Sequence, residues 1–310
     1  MFFLGVLLRI NTFTNPLPPL THESDGLLYG KLLSFLETHF KNFPIVYPVI
    51  SYLLLYMQAV ALNAYSNQKK AYPSLHLLTA FSVVYLSALI PEWGQFSPIL
   101  LVNIIFVWIW PRLTNLYHSE KVMSDVFNIG FAVGISAFIY FPAIYFFPLI
   151  LLALLISRPF RLTEWVVALI GLFLPFYFFF IIQYFLEYKV ELSVLFKNAS
   201  WHIPLTSSSD FKIWIQFLLV FIPLLAGFIY NRMAIPRMVV HTRKIWTLNG
   251  LFLVSALILM FVNGNSKSTT VSFLPAVFFV TSFYALNKSK FFQELSVWVG
   301  LVWIITRNFF

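Results

Sequence analysis

Cysteine is missing altogether from this 310-residue chain, and charge is nearly so: only 10% of residues are charged. The first absence excludes a disulfide framework, a thiolate metal site and a cysteine nucleophile, and leaves the redox compartment open. The second excludes a water-soluble globule, whose surface needs roughly a quarter of its residues charged. No Gly-rich phosphate loop and no Gly-x-Ser-x-Gly elbow occur. Ser-x-x-Lys spacing appears at Ser66 with Lys69 and at Ser209 with Lys212, without companion motifs, and is read as coincidence. The six histidines are scattered, and none is paired with another at i, i+3 or i+4. No metal and no cofactor are expected.

What the chain does have is hydrophobicity. Sixty per cent of it is apolar and 20% aromatic, including 37 phenylalanines, with a mean hydropathy of +0.84. Such a composition belongs in lipid, where exposed rings carry no hydration cost. The net charge of +9 does not point to nucleic acid, because the basic residues fall in short groups beside apolar runs and form no stripe. They read instead as topogenic anchors.

The pattern predicts an all-α polytopic transmembrane helix bundle over 1–310, a single integral membrane domain with about eleven spans. Runs near 44–64, 74–90, 97–113, 163–185, 211–231, 245–262, 270–286 and 291–308 each suit a crossing, which takes about 20 residues. The long apolar stretch from Lys121 to Arg158 is basic at both ends, so it is split into two crossings near Tyr140-Phe141-Pro142. Residues 1–13 form a short first helix; lacking a basic leader and a cleavage site, it reads as a late start relative to a longer relative and not as a signal peptide.

Orientation follows from Lys69, Lys70, Arg112, Lys121, Arg158, Arg161, Lys288 and Lys290, and above all from the basic loop 231–245 with Arg232, Arg237, Arg243 and Lys244. These are assigned to the cytoplasm. The turn at Glu92, the loop 187–210 and the segment 14–42 are assigned to the outside. Within the last, Leu28, Tyr29, Leu32, Leu33, Phe35, Leu36 and Phe40 share one side of a helix opposite Lys31, Ser34, Glu37 and Thr38. This predicts one interfacial amphipathic helix near the N-terminus. Ser207 to Asp210 reads as the N-cap of the helix from Phe211.

No charged residue falls near the middle of a span, which disfavours a proton-driven pump. The intramembrane amides Gln58, Asn63, Asn103, Asn128, Gln183, Gln216 and Asn249 read as interhelical hydrogen-bonding groups. Gly130 with Gly134 is read as a close helix contact, and Gly171 with Pro175 as a close crossing or a kink. The candidate catalytic residues are Asp25 and Glu23, carboxylates just ahead of the interfacial helix. Either could act as a general base on an acceptor at the membrane surface. The competing reading gives Asp25 the cap of that helix and Glu23 a favourable place near its positive end.

The stretches Phe127-Asn128-Ile129-Gly130 to Tyr140-Phe141-Pro142, Ser157-Arg158-Pro159-Phe160-Arg161-Leu162-Thr163-Glu164-Trp165 and Gly171 to Pro175 resemble a family of uncharacterised bacterial multi-pass membrane proteins. That resemblance implies a bacterial inner (cytoplasmic) membrane location and no particular activity. More weakly, the order of parts is similar to the N-terminal half of polyprenyl-phosphate-sugar glycosyltransferases, in which an external carboxylate is the base. The likeness would match Asp25 or Glu23 to that base and a polyprenyl-phosphate lipid to the substrate. Two functional expectations result: a non-catalytic envelope subunit or scaffold with membrane lipid and other envelope membrane proteins as partners, and, as the alternative, an enzyme or binder of a lipid-linked substrate at the outer leaflet.

Overall fold

The computed structural model describes residues 1–16, 18–19, 25–41, 43–73, 76–117, 119–185, 211–263, 270–287 and 289–309. Among them the chain forms thirteen α-helices and no strand. In chain order these are α1 Phe2–Leu8, α2 Ile10–Thr14, α3 Leu27–Phe40, α4 Val46–Gln68, α5 Leu78–Leu89, α6 Pro98–Asn115, α7 Val122–Ile139, α8 Phe147–Ser157, α9 Leu162–Phe185, α10 Phe211–Ala234, α11 Val240–Asn263, α12 Phe273–Leu286 and α13 Lys290–Phe309.

Among the described residues, six helices are long and apolar enough to cross a membrane: Val46–Gln68, Pro98–Asn115, Val122–Ile139, Leu162–Phe185, Trp214–Arg237 and Val240–Met260. Three shorter apolar segments accompany them, Leu78–Leu89, Phe141–Ser157 and Thr270–Leu286. The chain is therefore an all-α bundle of membrane character. Two segments counted as crossings from the sequence stand apart from these nine. α1 and α2 are 7 and 5 residues long, and α13 is strongly amphipathic.

Breaks between helices follow local chemistry. Proline opens the turn Pro91–Gly94 and also helix α6, whose Ser97 hydroxyl accepts from Leu100 N at 3.3 Å. The expected split near residue 140 is present: α7 stops at Ile139, Tyr140 is extended, and a tight 3₁₀ turn at Phe141–Phe146 carrying Pro142 leads into α8. Arg158 is extended ahead of Pro159, as the residue before a proline prefers.

The short helices α5 and α12 lie at the centre. Almost every residue of both is buried, the state expected of a helix that is apolar all round. They pack on each other, and Thr281 Oγ1 donates to Ser82 Oγ at 3.0 Å across the contact. Tyr72 and Tyr85 add phenol-to-carbonyl bonds to Phe278 O at 2.7 Å and Ser296 O at 3.0 Å. At the periphery the balance reverses. Only 17% of the apolar window of α9 and 22% of that of Trp214–Arg237 are buried, against 61% in α6. α9 rests along α7 and α10 along α12, and their remaining faces present rings such as Phe173, Tyr177, Phe178, Trp214 and Phe217 to the surroundings.

The glycine readings hold. A Cβ on Gly130 would overlap Ala168 O, and one on Gly171 would lie 2.5 Å from Phe127 O. These small residues seat α7 and α9 backbone against backbone within the chain.

Candidate functional site

Asp25 and Glu23 were the sequence candidates. Glu23 lies outside the described residues, as do the loop 187–210 and the Ser207 to Asp210 cap. Asp25 forms an isolated antiparallel bridge with Tyr140, and the next amide, Gly26 N, donates to Ile139 O at 2.9 Å. The N-cap position of α3 belongs to Gly26, with no side-chain cap bond. The capping reading of Asp25 is thus corrected: its backbone is committed to the end of α7, one residue too early to cap. Gly26 is required there, because a Cβ would overlap Phe138 O.

A helix, α3, covers the expected residues, but its apolar side divides in two. Tyr29, Leu33 and Leu36 are buried in a cluster with Tyr47 and Phe96, while Leu28, Leu32, Phe35 and Phe40 are exposed. Burial, reinforced by the Asp25, Tyr47 and Glu37 groups, pushes the Tyr29 phenol above its ordinary pKa. No proton transfer by Tyr29 follows from such a shift.

Three of the amides bond across helices or to a neighbouring segment, whereas Asn249, read as another such group, is buried with neither side-chain polar atom partnered among the described residues. Gln58 Nε2 donates to Leu100 O at 3.1 Å, Asn103 Nδ2 to Thr270 O at 3.2 Å, and Asn63 Oδ1 accepts from Ala80 N at 3.4 Å. Asn128 instead stays on its own helix, facing Ser124 at 3.5 Å. Among the described residues no group of three or more His, Cys, Asp or Glu could hold a metal ion.

Basic residues visible in the sequence only as scattered turns meet at one place in the fold. Around the end of α6 and the turn after it, Arg112 of α6 is joined by basic residues from three other places in the chain. Lys69, closing α4, donates to Asn115 Oδ1, and Arg112 stacks its guanidinium on the Trp108 ring at 3.5 Å. Arg158 reaches Leu116 O and Ser119 O at 3.4 Å each and pairs with Glu164 at 3.6 Å. Lys244, at the start of α11, lies 3.7 Å above the Tyr117 ring and donates to Ser157 O at 3.3 Å. Arg158 therefore has an acidic partner, whereas Lys69 bonds to the neutral Asn115 and Arg112 to the ring and carbonyl of Trp108. Desolvation holds the Lys69 ammonium below its ordinary pKa.

A cleft of about 560 Å³ opens between α4 and α6 and runs to this basic end. Met57, Gln58 and Ala61 line it from α4, and Trp108, Arg112 and Asn115 from α6. Met57 and Trp108 are 62% and 47% exposed, so the cleft opens sideways, away from the bundle. Pro111 forms part of the wall; it supplies no amide to Val107 O one turn back. The arrangement can hold an elongated apolar group with an anion at its basic end. It has no nucleophile-base pair.

No family model, curated protein or solved structure matches the chain.

Proposed function

We propose that the protein is a multi-pass inner-membrane protein, bacterial in type, that crosses the bilayer about eleven times with its basic end in the cytoplasm. Its role is that of a non-catalytic membrane subunit in contact with anionic lipid. One observation carries the reading: Lys69, Arg112, Arg158 and Lys244 gather at one end of the bundle. A cationic end is retained on the cytoplasmic side during insertion and is then attracted to the anionic lipid surface there, by about 1 kcal/mol per basic residue near the surface. Helix α3 would lie in the opposite interface, its buried strip on the bundle and Leu28, Leu32 and Phe35 in lipid.

Because the chain has no native cysteine, single introduced cysteines test this cleanly. Tyr117→Cys should react with a membrane-impermeant maleimide only after the cytoplasmic side is opened, and Glu92→Cys from outside in intact cells. The reverse pattern overturns the orientation. Isolation from native lipid as a lone monomer, with no partner in chemical cross-linking, overturns the subunit role.

A second reading keeps Asp25 as a base for a polyprenyl-phosphate-linked substrate at the outer leaflet. It is favoured by the fixed position of Asp25 beside the exposed apolar strip of α3. Asp25→Asn and Glu23→Gln together should then abolish the cellular phenotype at unchanged abundance, and an unaltered phenotype removes it.

A further inference from the structure

We propose that the cleft between α4 and α6 is a binding site for one anionic phospholipid of the cytoplasmic leaflet, with an acyl chain along Met57, Ala61 and Trp108 and its phosphate between Arg112 and Lys69. The site rests on the orientation proposed above and assigns that end of the bundle a defined ligand.

Three features select a lipid over other occupants. The first is length. From Ile104 to Asn115, both in its wall, is eleven residues along α6, about 16 Å at 1.5 Å per residue, close to half the roughly 30 Å hydrocarbon thickness. The cleft thus spans one leaflet, from headgroup level to midplane. The second is shape: an apolar trough open on its side accepts a chain sliding in from the bilayer, whereas a soluble ion needs no trough at all. The third is charge. Two cations stand at the headgroup end, bonded to neutral groups.

Arg112 is well prepared for this. Its stacking on Trp108, together with a 3.4 Å bond to Trp108 O, holds the plane of the guanidinium and leaves other N–H donors for phosphate oxygens. Lys69 already sits partly out of water, so a phosphate beside it restores interactions that burial removed. An acyl chain in the trough also covers Met57 and Trp108. A helix of a partner protein is the competing occupant, but it would have to present a phosphate-like anion at the same depth, and the wall of Met57 and Trp108 is not the small-residue surface that helix contacts favour.

The test uses the full chain in phosphatidylcholine nanodiscs carrying either phosphatidylglycerol or phosphatidylcholine with brominated acyl chains. The Trp108 signal is taken as the difference between the wild type and Trp108→Phe. Brominated phosphatidylglycerol should quench Trp108 more than brominated phosphatidylcholine at equal mole fraction, with an enrichment of about thirtyfold for two cations. Arg112→Gln with Lys69→Gln should make the two lipids equal, Arg112→Lys should keep the preference, and Ala61→Trp, at an exposed position, should reduce quenching by either lipid.

Equal quenching by both lipids in the wild type overturns the proposal. So does loss of the preference on adding inorganic phosphate at the concentration of the lipid, which would make this a phosphate site. Nanodiscs expose both faces, so the outcome does not depend on orientation. Cysteine mapping that placed Tyr117 outside would sink the orientation and with it the cytoplasmic-leaflet assignment, while the quenching preference itself would stand.

Discussion

Arg9 and Arg307, from opposite ends of the chain, hold the same helix terminus. Arg9 Nη2 donates to Ser87 O at 2.6 Å and Nη1 to Gly94 O at 3.2 Å, while Arg307 donates to Leu89 O and Ala88 O at 2.8 Å each. Ser87 O, Ala88 O and Leu89 O are among the last carbonyls of α5, which lack the following helical amides as partners and carry the negative end of the helix dipole, and Gly94 O belongs to the turn that follows. Arg9 is only 6% exposed, and Gly94 has no side chain because a Cβ would overlap its guanidinium. Asn308 Nδ2 completes the junction by donating to Leu8 O at 3.0 Å.

Removing either arginine should therefore destabilise the bundle. Arg307→Gln is expected to cost about 1.5–3 kcal/mol, the range for a hydrogen bond to a charged group. Arg9→Gln should cost at least as much, since buried carbonyls would be left without a donor. The two losses should not add, because the cations face the same terminus and repel each other. Denaturant unfolding in mixed micelles of both single variants and the double variant measures this, and strict additivity would argue against a shared junction.

At the start of α3 the backbone makes a close junction with the end of α7. Gly26→Ala drives a methyl group into Phe138 O and should cost about 1–3 kcal/mol, releasing α3 from α7. Asp25→Asn keeps the backbone bridge to Tyr140 and alters only the carboxylate, so it should lower the unfolding temperature less than Gly26→Ala does. Thermal unfolding of both in one lipid distinguishes a structural junction from a chemical one.

Between α7 and α9 the carbonyl of Ala168 lies where a Gly130 side chain would go. Gly130→Leu should push the helices apart by more than Gly130→Ala, with losses of about 1–3 kcal/mol for overpacking or greater. An introduced cysteine pair spanning the two helices should cross-link in the wild-type background and lose efficiency in that order. Equal cross-linking in all three would mean that α9 is held elsewhere.

Much of the helix map was legible in the sequence. The break at Tyr140 to Pro142, the helix from about residue 27 to Phe40 and the packing role of Gly130 and Gly171 all depend on near neighbours or on residue size. The site was less so. Lys69, Arg112, Arg158 and Lys244 are visible as topogenic anchors one turn at a time, but nothing local indicates that they meet around Asn115 to Ser119, nor that α4 and α6 leave a trough leading to them. Arg9 and Arg307 gave no signal at all, since a lone arginine beside an apolar run looks the same whether it faces headgroups or caps a helix.

What the sequence alone determined is the solvent and the secondary structure. A chain this apolar belongs in lipid, and a segment in lipid must satisfy its own backbone as a helix, so each crossing is written in its own stretch of residues. Tertiary structure decided everything that depends on one helix beside another: which strip of α3 is buried, how arginines 78 and 219 residues from their acceptors come to cap one terminus, and where a cleft opens. Side-chain pattern sets which faces are sticky, but only the placement of whole helices fixes which faces meet.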